Sequence, residues 1–114
     1  MPILDKPFTK KELLTDFCHI YQSMTKGVVD LDSGLIALEA DMHADLEGKL
    51  LNRGSRQQDL WGFNLYPEKS GTEFVEYTSL INIRPAHGNA SIEVQDPALR
   101  EQILRVIGKW IIDA

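Results

Sequence analysis

The sequence predicts an α+β domain: an antiparallel sheet of about five strands, covered on one face by an N-terminal and a C-terminal helix, with a short helix inserted after the second strand. Three observations carry this expectation. Apolar residues recur at helical spacing near both ends, they alternate with polar residues through the middle, and single Gly, Pro and Asp residues punctuate the two patterns. A chain of 114 residues can bury one core, and no linker or repeat divides it, so residues 1–114 read as a single domain.

Thr9 and Glu12 have the spacing of a capping box, and Leu13, Leu14, Phe17, Ile20, Tyr21 and Met24 follow on one helical face. With Gly27 placed to end it, the first helix is expected from about 10 to 25. Val28, Val29 and Leu31, then Asp32-Ser33-Gly34, then Leu35 to Leu38 read as a hairpin. Asp41 is the expected cap of a short helix from His43 to Arg53, with Leu46, Leu50 and Leu51 inward and Gly54 after it.

Leu60 to Tyr66 alternates as a strand, with Trp61, Phe63 and Leu65 on one face and Gly62, Asn64 and Tyr66 on the other. After a turn at 67–73, Phe74 to Arg84 alternates in register with it. Pairing Tyr66 with Phe74 sets Leu65 opposite Val75, Phe63 opposite Tyr77 and Trp61 opposite Ser79. Ile92 and Val94 then complete a third strand opposite Ile83 and Ile81. Asp96-Pro97 starts the last helix, whose Leu99, Ile103, Val106, Ile107 and Trp110 share a face. Trp61, Phe63, Tyr77, Ile81, Ile83, Ile103 and Trp110 are the expected core, and the other face of the sheet is expected to be bare.

Twelve basic against 17 acidic side chains give a net charge of −5, which provides no domain-wide positive field for a phosphate backbone. Nucleic-acid binding is therefore disfavoured. No apolar run approaches the ~20 residues that span a bilayer, and neither terminal helix has a strongly basic face, so no membrane role is expected. The single cysteine, Cys18, forms no internal disulfide, and the first residues lack the apolar run of a secretory signal. The expected location is the cytoplasm.

Six carboxylates, Asp30, Asp32, Glu39, Asp41, Asp45 and Glu47, fall in a stretch without a basic residue. On an extended strand Glu39, Asp41 and His43 project to one side and could offer a divalent metal two carboxylates and an imidazole. The competing reading is a capped, solvated helix start. The second candidate is the polar sheet face, where Asn64, Tyr66, Glu76, Thr78, Asn82, Arg84, Ser91 and Glu93 form adjacent rows. Arg84 could fork onto a carboxylate or phosphate there, beside directional hydrogen bonds from Asn82 and Tyr66. The loop Gly54-Ser55-Arg56-Gln57-Gln58-Asp59 lacks the spacing of a phosphate loop. No motif ties His19, His43 or His87 to Ser55 or Ser79 as a nucleophile.

The strings Ala40-Asp41-Met42-His43-Ala44-Asp45-Leu46-Glu47, Gly54-Ser55-Arg56-Gln57 through Asn64-Leu65-Tyr66-Pro67, and Glu76 through Asn89 are distinctive together. The chain resembles a group of small single-domain bacterial proteins, frequent in cyanobacteria, that is filed only as a domain of unknown function. The resemblance implies no reaction, cofactor or catalytic residue. The sequence thus points to a non-catalytic ligand- or protein-binding module that self-associates as a homodimer through the uncovered sheet face, using Asn64, Tyr66, Glu76, Asn82 and Arg84. The rival is a small metal-dependent or acid-base enzyme using Glu39, Asp41 and His43, and only that rival calls for a divalent metal.

Overall fold

The computed structural model describes residues 3–114. Helix α1 (Lys10–Phe17) starts on the expected capping box. Thr9 Oγ1 accepts from the Glu12 amide at 3.1 Å, and the Glu12 carboxylate accepts from the Thr9 amide at 2.9 Å. It stops eight residues before the sequence pattern does, because Thr25–Asp30 forms strand β1, every residue of which pairs with a partner strand. Gln22 takes the left-handed conformation, φ 61°, in the reversal between them. Gly27 lies within β1 and ends no helix. A Cβ built there would stand 2.5 Å from the Phe63 ring, so the missing side chain is what lets that ring cross the strand.

Strand β2 (Ile36–Leu38) follows the expected turn and pairs with β1, Val28 opposite Ala37. Helix α2 (His43–Asn52) is where the pattern puts it, but Asp41 does not cap it. The Asp45 carboxylate accepts from the Met42 amide at 3.3 Å and does that work. Strand β3 (Leu60–Leu65) pairs with β1, and β4 (Val75–Glu76) with β3 in the expected register, Leu65 opposite Val75. Among the described residues the sheet has four strands in the order β2-β1-β3-β4, not five, because β4 ends at Glu76. Leu80–Asn82 is a 3-10 turn, and Thr78 opposite Glu93 is an isolated bridge in place of the expected third hairpin strand.

Helix α3 (Pro97–Trp110) starts with the Asp96 carboxylate accepting from the Ala98 amide at 2.9 Å. Leu13 of α1 and Ile103 and Ile107 of α3 pack with Val29, Ile36, Leu38, Trp61, Phe63 and Leu65 on one sheet face, as expected. Neighbouring strand residues point to opposite faces, and Val28, Ala37 and Leu60 pack against Leu46 and Leu50 of α2. The second face is therefore covered, by α2 and by the segment 77–95, and the sheet lies between two layers. This removes the bare face on which the dimer expectation rested. Ile81 joins the second cluster and Ile83 is 45% exposed, so the expected single core is divided by the sheet.

Candidate functional site

The segment after β4 is held by two buried asparagines, Asn82 fastening it to the sheet and Asn89 tying it to itself. Continuing the Asn64–Glu76 register would bring residue 78 opposite Gly62. Asn82 takes that place with its side chain instead. Its Oδ1 accepts from the Gly62 amide at 2.8 Å, and its Nδ2 donates to the Gly62 carbonyl at 3.0 Å and the Ile92 carbonyl at 3.2 Å. One carboxamide so completes the hydrogen bonding of a strand edge that would otherwise carry unpaired groups. Asn89 Nδ2 donates to the carbonyls of Asn82, Ser91 and Glu93, and its Oδ1 accepts from the Gln95 amide. Ser79 stands over Gly62, where a Cβ would meet Ser79 Cβ at 2.5 Å.

Arg84 is spent in the same way. Its guanidinium is almost wholly buried, donates to the Gln57 carbonyl at 2.6 Å and the Glu47 carboxylate at 3.2 Å, and lies 4.9 Å from the Trp61 ring centre. It ties segment 77–95 to α2 and to the loop before β3. The pairing with Glu76 or Glu93 allowed by the sequence does not form; Glu93 lies 3.9 Å from Arg100. Of the five residues expected to share a ligand surface, Asn82 and Arg84 are therefore structural ties, and Asn64, Tyr66 and Glu76 form a cluster of their own. Asn64 Nδ2 and the Tyr66 hydroxyl both donate to Glu76 Oε1, at 2.8 and 3.0 Å.

His43 completes this cluster. As the first residue of α2 it is turned into the domain, and its Nε2 donates to the Phe63 carbonyl at 2.9 Å. A carbonyl partner fixes the proton on Nε2 and leaves Nδ1 an acceptor. Burial holds the imidazole below its usual pKa, against the Phe63 carbonyl, which favours the charged form; Lys26 lowers it further, and Asn64 and Glu76 oppose. His43 is thus neutral at pH 7. Asn64 is 7% exposed, and its Oδ1 is closed to solvent without a hydrogen-bond partner among the described residues. Its amide cannot simply turn over, because Nδ2 faces both the Glu76 carboxylate and the Thr78 carbonyl.

His43 and Asn64 line a cleft of about 250 Å³ between the start of α2 and segment 77–95. Lys26, Thr78 and Ser79 add polar groups, and Met42, Leu80, Ile81 and Ile92 form an apolar rim. Leu80 is 71% exposed and Met42 54%, far more than folding alone asks of such side chains. A larger open groove of about 900 Å³ lies beyond Glu76, between β4 and α3. Its cations are already engaged, Arg100 with the Val94 carbonyl and the Tyr77 ring, and Lys69 over the Tyr66 ring.

The acidic stretch does not assemble as a chelate. The Glu39 carboxylate accepts from the His19 amide at 2.7 Å, Asp41 is exposed with its carbonyl taken by the Tyr21 hydroxyl, and His43 points into the sheet. Asp30 is buried and accepts from the Asp32 and Ser33 amides and the Ser55 hydroxyl. These bonds outweigh burial and hold its carboxyl below the usual range. Among the described residues no group of three His, Cys, Asp or Glu side chains is placed to hold a metal ion.

Residues 2–110 match the family described as "Protein of unknown function (DUF5674)". The chain belongs to the DUF5674 family. No curated protein and no solved structure gives a match. The family spans both helical layers and the sheet between them, so the His43–Asn64 cleft is built wholly from the DUF5674 domain. Lys26 and Ser79 are cleft residues that the sequence reading missed, and His43 was sought among the wrong partners. The signal available for Ser79 was Gly62, a glycine within a strand, which marks close approach of another chain segment. No helix among the described residues is long and apolar enough to cross a membrane.

Proposed function

We propose that this DUF5674 protein is a non-catalytic binding module, bacterial and cytoplasmic, whose site is the cleft between His43, Asn64 and Ser79. The observation that carries the reading is Asn64 Oδ1. Buried polar atoms are almost always paired, and a carbonyl oxygen left over beside a cleft asks for a donor from outside the chain. The apolar rim around a polar floor is the usual composition of a small-molecule site. The metal-dependent reading draws no support from the placement of its three residues, since the Glu39 carboxylate is engaged with the His19 amide and the His43 ring with the Phe63 carbonyl.

The test is a titration of the ¹⁵N-labelled protein with 2-propanol, a probe that is both apolar and hydrogen bonding. Saturable shifts centred on Lys26, His43, Asn64 and Ser79, lost in Ile92→Trp, are expected. Shifts that are linear and scattered over the surface would oppose the reading. Self-association remains part of the proposal with a different surface: Leu80, Ile83 and Ile92, all exposed and on the covering segment, are the apolar side chains that a second copy would shield.

A further inference from the structure

The cleft floor has a definite hydrogen-bonding character. Asn64 Nδ2 is held by Glu76 and Thr78, so the amide presents its oxygen to the His43 side. His43 Nε2 is held by the Phe63 carbonyl, so the other ring nitrogen of the neutral imidazole carries a lone pair, and Asn64 serves the ring as a hydrogen-bond partner only when the ring is charged. Two acceptors therefore stand together, and while the ring is neutral the protein supplies no donor to either. An anion there would meet two lone pairs. A cation would satisfy them but would approach Lys26, which lines the cleft with its ammonium 5.2 Å from the Tyr21 ring centre and whose charge already opposes a charged His43. What remains is a neutral N–H or O–H donor, and Lys26, Ser79 and Thr78 in the same lining call for a carbonyl on the same molecule, which an amide supplies.

We infer that the cleft takes a small neutral carboxamide or lactam with a compact apolar body. The N–H is directed at Asn64 Oδ1 and the free nitrogen of His43, the carbonyl oxygen at the Lys26 ammonium or the Ser79 and Thr78 hydroxyls, and the apolar body lies against Met42, Ile81 and Ile92. Asn64 Oδ1 has almost no exposed area, so lining side chains must shift for a ligand to reach it, and we take His43 and Ser79 to be the ones that move. Both side chains stand at the ends of short elements: His43 opens α2, and Ser79 precedes the 3-10 turn that carries the exposed Leu80. A volume of about 250 Å³ limits the occupant to a few carbon atoms beyond the amide.

This inference rests on the cleft being a binding site, and three probes with one apolar skeleton separate the two ideas. Isovaleramide, N,N-dimethylisovaleramide and isovalerate are titrated separately into the ¹⁵N-labelled full chain at pH 7.5, following the Asn64 side-chain amide and the backbone amides of 43–44 and 78–80. Isovaleramide is expected to bind at least tenfold more tightly than its dimethyl derivative, which has no N–H, and than the anion. In Asn64→Leu the tenfold preference is expected to vanish, and if that variant fails to fold the comparison of the three probes on the natural chain still decides. Equal binding of both amides overturns the ligand class while leaving the cleft a binding site. Tighter binding of isovalerate overturns it in favour of an anion held by Lys26. No cleft response to any of the three overturns the binding site and the inference together.

Discussion

Replacing Asn82 by Leu isolates the hydrogen bonds that hold the covering segment to the sheet. The two side chains share one branched skeleton, so Asn82→Leu leaves no cavity at a fully buried position, adds only the bulk of two methyl groups, and removes one acceptor and two donors. The Ile92 carbonyl keeps the Ser79 amide at 3.0 Å, but the Gly62 N–H and C=O lose their side-chain partner. Each buried group left unpaired costs ~1–3 kcal/mol. The expected loss is about 4 kcal/mol, the middle of the range for two groups. For a domain of this size that lowers Tm by on the order of 15 °C. Urea and thermal unfolding followed by circular dichroism measure the loss, and hydrogen exchange at the Gly62 amide reports its source. A variant that melts within two degrees of the natural chain, with the Gly62 amide equally protected, would refute the reasoning.

Gly62→Ala places a methyl group 2.5 Å from Ser79 Cβ, and the overpacking should cost ~1–3 kcal/mol in urea unfolding, with part of it recovered in the double variant Gly62→Ala/Ser79→Gly. His43 is held below its ordinary pKa of 6.5, so between the folded value and 6.5 the unfolded chain binds more protons. Its contribution to stability is therefore full above pH ~6.5 and is lost as pH falls toward the folded value. Unfolding free energies at pH 7.5 and 5.5 should show that loss in the natural chain and a smaller one in His43→Gln; equal losses would remove His43 as the cause. Light scattering at micromolar concentration should give a dimeric mass that Leu80→Glu reduces to the monomer, and a monomeric mass for the natural chain would end the self-association proposal.

The alternation of Leu60–Leu65 against Val75–Glu76 fixed a register that the structure reproduces, because a buried face specifies strand pairing. The starts of α1 and α3 were equally legible, since their caps are local: Thr9 with Glu12, and Asp96 with Pro97. Element ends were not. The pattern from Leu13 to Met24 continues past Phe17, but pairing of Thr25–Asp30 with β3 overrides it, and nothing local shows that competition. Likewise 74–84 alternates as a strand should, yet the Asn82 side chain substitutes for a ladder and sends the backbone across the sheet. The candidate site was legible by half. Asn64, Tyr66 and Glu76 share one face and one hydrogen-bonded cluster, whereas His43 joins them because α2 folds back over the sheet, a contact across 20 residues that spacing does not report.

The central claim is that Asn64 turns toward His43, beneath the cleft, an oxygen for which the chain has no donor while His43 is neutral, and a crystal structure of the natural protein at a resolution that separates amide oxygen from nitrogen tests it most directly. The expected result is Nδ2 toward Glu76 and Thr78, with Oδ1 beside His43 contacted by solvent or by a bound molecule in the cleft. An Oδ1 paired with a protein donor, above a cleft closed by Leu80, would contradict it.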